Sequence, residues 1–190
     1  MPTSLIRKYN VPGPRYTSYP TVPYWKNEVQ LSKWKERTAE TFHLTNKSKG
    51  ISLYIHLPFC ESLCTYCGCT TRITINHAVE KPYIETVLRE WQLYLSLFGD
   101  VPEIAEIHLG GGTPTFFSPE NLTALIEGIK QTSVIRKDAE LGFEAHPNNT
   151  SEAHLKALYK LGFRRVSFGI QDFDPVVQKV INRIQTFEQV

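Results

Sequence analysis

All four cysteines of the chain fall within ten residues, in Cys60-Glu61-Ser62-Leu63-Cys64-Thr65-Tyr66-Cys67-Gly68-Cys69. Thiolates bind soft metals, and several closely spaced ones can wrap an iron–sulfur cluster. A disulfide framework spreads its bridges to close long loops, so four thiols in one loop point to a metal instead. Zinc sites usually draw on two separated pairs. The spacing here is C-x₃-C-x₂-C with a further cysteine two residues on. Such a loop can supply three ligands to a [4Fe–4S] cluster and leave one iron open. A zinc knot, or four unrelated thiols, is the plainer alternative.

Three other segments carry chemical potential. Gly110-Gly111-Gly112-Thr113-Pro114-Thr115 lacks Cβ atoms at three successive positions, so backbone can approach a ligand and offer N–H groups to a carboxylate. Alone, such a run is more often a tight turn. Glu144-Ala145-His146-Pro147 offers a carboxylate for an amine or for ribose hydroxyls, or simply a solvated acid. Gly169-Ile170-Gln171-Asp172-Phe173 and, beyond it, Asn182-Arg183 read blandly as a polar strand end and a surface arginine. A planar guanidinium nevertheless suits a carboxylate partner.

The elements that must position these residues are legible in the periodicity. Ile51, Leu53, Ile55 and Leu57 alternate with polar or amphipathic neighbours, which predicts a strand over residues 51–57. Pro82 opens a helix carrying Ile84, Val87, Leu88, Trp91 and Leu95. Further strands are expected over 104–109, 139–145 and 164–170. Helices are expected after Ser118-Pro119, after Ser151 with a stop at Gly162, and after Asp174-Pro175. Strand–helix alternation four times over predicts an α/β fold, with a parallel sheet, right-handed crossovers and outer helices. Chemistry in such folds gathers at the carboxyl ends of the strands, where every motif above lies.

Four βα units do not close an eight-unit barrel. Residues 186–190 read as the start of another helix. The expectation is therefore a partial TIM-type barrel, truncated and inactive alone, over 51–190. It follows a proline- and tyrosine-rich arm and short helix over 1–50. The prolines of Val11-Pro12-Gly13-Pro14-Arg15-Tyr16-Thr17-Ser18-Tyr19-Pro20 make residues 1–30 read as extended. Tyr16, Tyr19, Tyr24 and Trp25 imply that this arm packs on something.

The chain has 190 residues, 41% of them hydrophobic, with a net charge of +2. Neither value argues for bulk binding to nucleic acid or membrane. No apolar run is long enough to span a bilayer, and residues 1–9 lack the apolar stretch of a signal peptide. A cytoplasmic location is expected.

Placed after a first parallel strand, C-x₃-C-x₂-C resembles the radical S-adenosylmethionine superfamily. Within it, the chain resembles the N-terminal portion of the oxygen-independent coproporphyrinogen oxidases. Pro14-Arg15-Tyr16-Thr17-Ser18-Tyr19-Pro20-Thr21 is similar to their arm, and Tyr54-Ile55-His56-Leu57-Pro58-Phe59-Cys60 to their first strand. Cys67-Gly68-Cys69 is similar to their extra-cysteine motif, and Gly110-Gly111-Gly112-Thr113-Pro114 to their cofactor-binding turn. The resemblance implies a [4Fe–4S] cluster on Cys60, Cys64 and Cys67. Its open iron would be chelated by the amino and carboxylate groups of S-adenosylmethionine, whose cleavage yields a 5′-deoxyadenosyl radical. Two S-adenosylmethionine molecules are implied. Tyr54, Gly111, Glu144 and Arg183 would contact the first. Tyr66, Gly112, Thr113 and Gln171, with Cys69 nearby, would face the second.

The implied reaction converts two propionates of coproporphyrinogen III to vinyl groups, giving protoporphyrinogen IX in porphyrin and haem biosynthesis. Loss of a hydrogen atom beside the ring leaves a stabilised radical; loss of CO₂ and one electron then gives the alkene without oxygen. An electron donor such as flavodoxin or ferredoxin, and a monomer when full length, are also implied. No catalytic residue beyond the cofactor site is assigned. Arg15 is a candidate for the substrate's carboxylates. Tyr66 stands where phenylalanine is common, and His146, where aspartate or asparagine is common, is given no role. The rivals are a haem-chaperone-like paralogue, which generally lacks the arm and the last cysteine, and a zinc or electron-transfer module without radical chemistry.

Overall fold

A computed structural model describes residues 2–11, 21, 24–26 and 30–190. The Pro14–Thr21 motif, Arg15 included, therefore lies almost wholly outside the described residues. Two compact units are present, Met1–Arg37 and Thr38–Val190. The first contains α1 (Pro2–Tyr9), where an extended arm was expected. Proline at the first helical position sacrifices no intrahelical bond, and Arg7 and Lys8 occupy the last turn, facing the negative end of the helix dipole. Apart from Pro2, which opens the helix, the prolines begin only at Pro12. Tyr24 and Trp25, expected to pack, are 75% and 60% exposed; so small a unit can bury few large rings. The next helix is α2 (Leu31–Thr45).

In the larger unit β1 (Ile51–Leu57) leads into β2 (Phe59–Cys60), which pairs in parallel with β3 (Arg72–Ile73). Then come α3 (Glu80–Phe98), β4 (Glu103–Gly111), α4 (Pro119–Lys130), β5 (Val134–Ala145), α5 (Glu152–Lys160), β6 (Arg165–Phe168) and α6 (Pro175–Val180). The main sheet has the order β1-β4-β5-β6, all parallel. This is the expected α/β arrangement, a parallel sheet flanked by helices.

The reason is the alternation of side chains. Ile55, Leu57, Ile107, Leu109, Leu141 and Phe143 point to one face and join Ile84, Trp91, Leu122, Leu125, Ile126, Ile129 and Leu158 of the helices in one core. Ser118, Ser151 and Asp174 cap α4, α5 and α6 through their side chains, as their sequence positions predict. The opposite face of the sheet is polar, with Tyr54 stacked beside His108 at 6.0 Å between ring centres.

Some boundaries differ from expectation. The helix α3 starts two residues before Pro82, because first-turn N–H groups have no intrahelical acceptor and proline is tolerated there. β5 starts at Val134, since an irregularity between the pairs Ile104–Ile135 and Glu106–Glu140 hides the alternation. The final residues form a turn rather than a helix, with the Thr186 N–H donating to Gln189 Oε1 at 2.8 Å.

Candidate functional site

The cysteine loop is closed at its base by the small β2–β3 pair. The Arg72 N–H donates to the Pro58 carbonyl at 2.8 Å and the Thr74 N–H to the Cys60 carbonyl at 2.9 Å. Within the loop, the Cys67 N–H donates to the Cys64 carbonyl at 3.0 Å, turning the chain between two thiols. Its outer side is held by the end of α6. The Thr65 N–H donates to the Ile181 carbonyl at 3.1 Å, and Asn182 Nδ2 to the Leu63 carbonyl at 2.8 Å. Asn182 makes this contact from a left-handed conformation (φ 53°), which asparagine tolerates better than most residues.

The glycine turn lies directly against the same loop. Gly111 has φ of +118°, which excludes a side chain. A Cβ on Gly112 would stand 2.6 Å from the Pro58 carbonyl oxygen and 2.9 Å from Cys60 Sγ. The N–H groups of Gly112 and Thr113 were expected to be offered to a ligand. Instead they donate to the Leu57 and Phe59 carbonyls, at 2.9 and 3.0 Å. They extend the ladder between β4 and β1, so what the glycines supply at this end of the turn is room. The Thr113 hydroxyl lies 3.3 Å from Cys60 Sγ.

Two further strand ends and the segment after α6 complete the rim. Glu144, near the end of β5, places Oε1 3.5 Å from His108 Nε2. Gln171, just past β6, adopts a left-handed backbone (φ 70°), a conformation uncommon for its residue type. Arg183 donates through Nε and Nη2 to the Gly169 carbonyl at 3.0 and 2.5 Å, while Nη1 reaches within 3.6 Å of Cys64 Sγ.

These residues surround one cavity of about 280 Å³. Cys60, Cys64, Cys67 and Cys69 all line it, with Tyr66 beside them. Gly111, Gly112, Thr113, Glu144 and Gln171 line it from the strand ends, and Arg183 from the segment after α6. Of the cluster and S-adenosylmethionine residues expected from sequence, all of them among the described residues, only Tyr54 lies outside the lining. Its hydroxyl is 3.2 Å from His56 Nδ1. Partial burial and the negative charges of Glu144 and Cys69 push its phenol up, so it remains a proton donor. The cavity also takes in His146 and Ser167, which sequence reasoning did not select. The signal existed for His146: it stands two residues after Glu144 in a strand-like register, hence on the same side.

The thiols feel one another electrically. Burial pushes the Cys60 thiol up, the Thr113 hydroxyl opposes that, and the nearby Cys67 and Cys64 charges add to it. Cys69 is raised by burial and then by Cys67. Several thiolates sharing one cavity repel unless a bound cation offsets them, and a soft metal centre does so. Among the described residues no three His, Cys, Asp or Glu side chains are grouped closely enough to hold a metal ion. A polynuclear cluster takes one thiolate per iron and does not require the three sulfurs to meet at a point. The donor set thus fits an iron–sulfur cluster.

A parallel α/β unit with C-x₃-C-x₂-C at the first strand end and a glycine turn at the next is the architecture of a radical S-adenosylmethionine domain. The chain belongs to that superfamily: the family model described as "Radical SAM superfamily" matches residues 54–190. More narrowly, it is homologous to the N-terminal portion of oxygen-independent coproporphyrinogen III oxidases. The enzyme of that name from Helicobacter pylori is 40% identical over 184 residues, covering 96% of this chain and 40% of that protein. The one from Pseudomonas aeruginosa is 37% identical, covering 97% and 40%. The solved structure of the Escherichia coli coproporphyrinogen III oxidase, described as a radical SAM enzyme, superposes with a TM-score of 0.83 at 30% identity. It covers 98% of this chain and 40% of that one. The chain thus spans about two fifths of the length of these relatives. Among the described residues no helix is long and apolar enough to cross a membrane.

Proposed function

We propose that the chain provides the cofactor half of an oxygen-independent coproporphyrinogen III oxidase, residues 51–190 forming the first part of its catalytic barrel. The observation that carries this is the gathering of Cys60, Cys64 and Cys67 with Gly112, Glu144, Gln171 and Arg183 on one cavity at the strand ends. Cys60, Cys64 and Cys67 hold a [4Fe–4S] cluster that, with S-adenosylmethionine bound, supplies a carbon radical able to abstract a hydrogen atom.

The protein's own part is to bind, orient and shield. The absence of side chains at Gly111 and Gly112 lets the turn pack directly against β1 and the cysteine loop, so that both form one wall of the cavity. Glu144 accepts hydrogen bonds from an amine or from ribose hydroxyls. Tyr54, kept protonated, offers a donor at the same rim. The Arg183 guanidinium is pinned to the Gly169 carbonyl and faces the thiols, where it stabilises negative charge. Tyr66, Thr113 and Gln171, with Cys69, shape the side given to a second S-adenosylmethionine. The substrate is coproporphyrinogen III and a small flavin or iron–sulfur protein delivers electrons.

Anaerobic incubation of the reconstituted protein, as this chain and as its complete reading frame, with coproporphyrinogen III, S-adenosylmethionine and reductant tests the proposal. Stepwise appearance of vinyl products from the complete reading frame is expected. Tight haem binding with no vinyl product would favour the chaperone-like alternative.

A further inference from the structure

His146 lies one residue past the end of β5 and lines the cavity together with Glu144 and Arg183. Its ring is not free to choose a tautomer. The Asn148 N–H donates to Nδ1 at 3.1 Å, capping the 3₁₀ turn Pro147–Asn149. Nδ1 therefore carries the lone pair, and the proton of the neutral ring sits on Nε2.

The turn that holds this ring is braced on both sides. The Thr150 hydroxyl donates to the His146 carbonyl at 2.8 Å, and Asn148 Nδ2 donates to the Ile184 carbonyl at 2.7 Å, next to Arg183. Burial, reinforced by the positive charge of Arg183, lowers the imidazole to about 4, so the ring is neutral near pH 7. Among the described residues no protein group meets Nε2. A donor of fixed tautomer, on a side chain that lines the cavity, is left without an acceptor among the described residues.

We infer that His146 presents its Nε2–H, as a fixed neutral donor, to an acceptor atom of the S-adenosylmethionine held in this cavity. The inference rests on the functional reading above and adds a binding residue to it.

The two ring nitrogens can be separated by substitution. His146→Asn keeps an acceptor for the Asn148 N–H but ends short of the Nε2 position. His146→Gln reaches that position with an amide N–H while weakening the cap. S-adenosylmethionine affinity of the anaerobically reconstituted protein is measured by equilibrium dialysis, alongside the thermal midpoint. Loss of one neutral hydrogen bond predicts affinity about three- to tenfold weaker in His146→Asn, and within about twofold of wild type in His146→Gln. If His146→Asn does not melt cooperatively, His146→Ser takes its place, since serine also caps without a distal donor. A capping variant that binds as tightly as wild type would show that the ring serves only the turn and overturn the inference alone. Wild-type protein that binds no S-adenosylmethionine would overturn the functional reading and the inference with it.

Discussion

At the scale of single residues, the site depends on what is missing as much as on what is present. Gly112 leaves the gap that a methyl group would close against Cys60 Sγ. The run of glycines was legible in sequence; the engagement of the Gly112 and Thr113 N–H groups was not, because it depends on the register with β1. The register after Glu144 told which side His146 takes, but only the Asn148 contact fixes which of its nitrogens bears the proton. Its titration gives a prediction about stability. The folded-state value of about 4 lies below the ordinary 6.5. Between those values the unfolded chain binds a proton that the folded chain does not, so stability falls as pH drops from about 6.5 to about 4. Partial exposure of the ring keeps the effect modest. Urea denaturation across that range is expected to show a shallower acid loss in His146→Asn than in wild type; identical pH profiles would contradict the assignment.

At the scale of elements, the cysteine loop is held from beneath and from the side. The four strands and the helix starts were readable because alternation, helical spacing and the caps Ser118, Ser151 and Asp174 agreed. The β2–β3 pair was not, since two-residue strands have no period to detect. Nor was the buried knot around Glu80, which is 2% exposed. Its carboxyl accepts from the Ser118 N–H at 2.8 Å, from Asn121 Nδ2 at 2.7 Å, and pairs with His77 Nδ1 at 2.6 Å. The His77 ring stacks on Phe116 at 4.4 Å, and its other nitrogen lies 3.8 Å from Glu61 in the cysteine loop. One buried residue thus links the start of α3, the cap of α4 and, through His77, the cysteine loop. Glu80→Ala strands two donors and is expected to destabilise the fold by about 2–4 kcal/mol, read as a lower urea midpoint. An unchanged midpoint would show that water replaces the carboxyl at no cost.

At the scale of the whole chain, one sheet keeps its two faces apart. The apolar face is spent on the helices, and the polar face and strand ends are left for chemistry. β6 is exposed along its whole length, with Val166 and Phe168 on it. The chain spans about two fifths of the length of its relatives. On the proposed function, Cys60, Cys64 and Cys67 hold a cluster with one iron left for S-adenosylmethionine. Electron paramagnetic resonance of the anaerobically reconstituted, reduced protein, recorded before and after adding S-adenosylmethionine, tests it most directly. A [4Fe–4S]⁺ signal whose g values move on addition is predicted. A cluster signal indifferent to S-adenosylmethionine, or a colourless protein loaded with zinc, would contradict it.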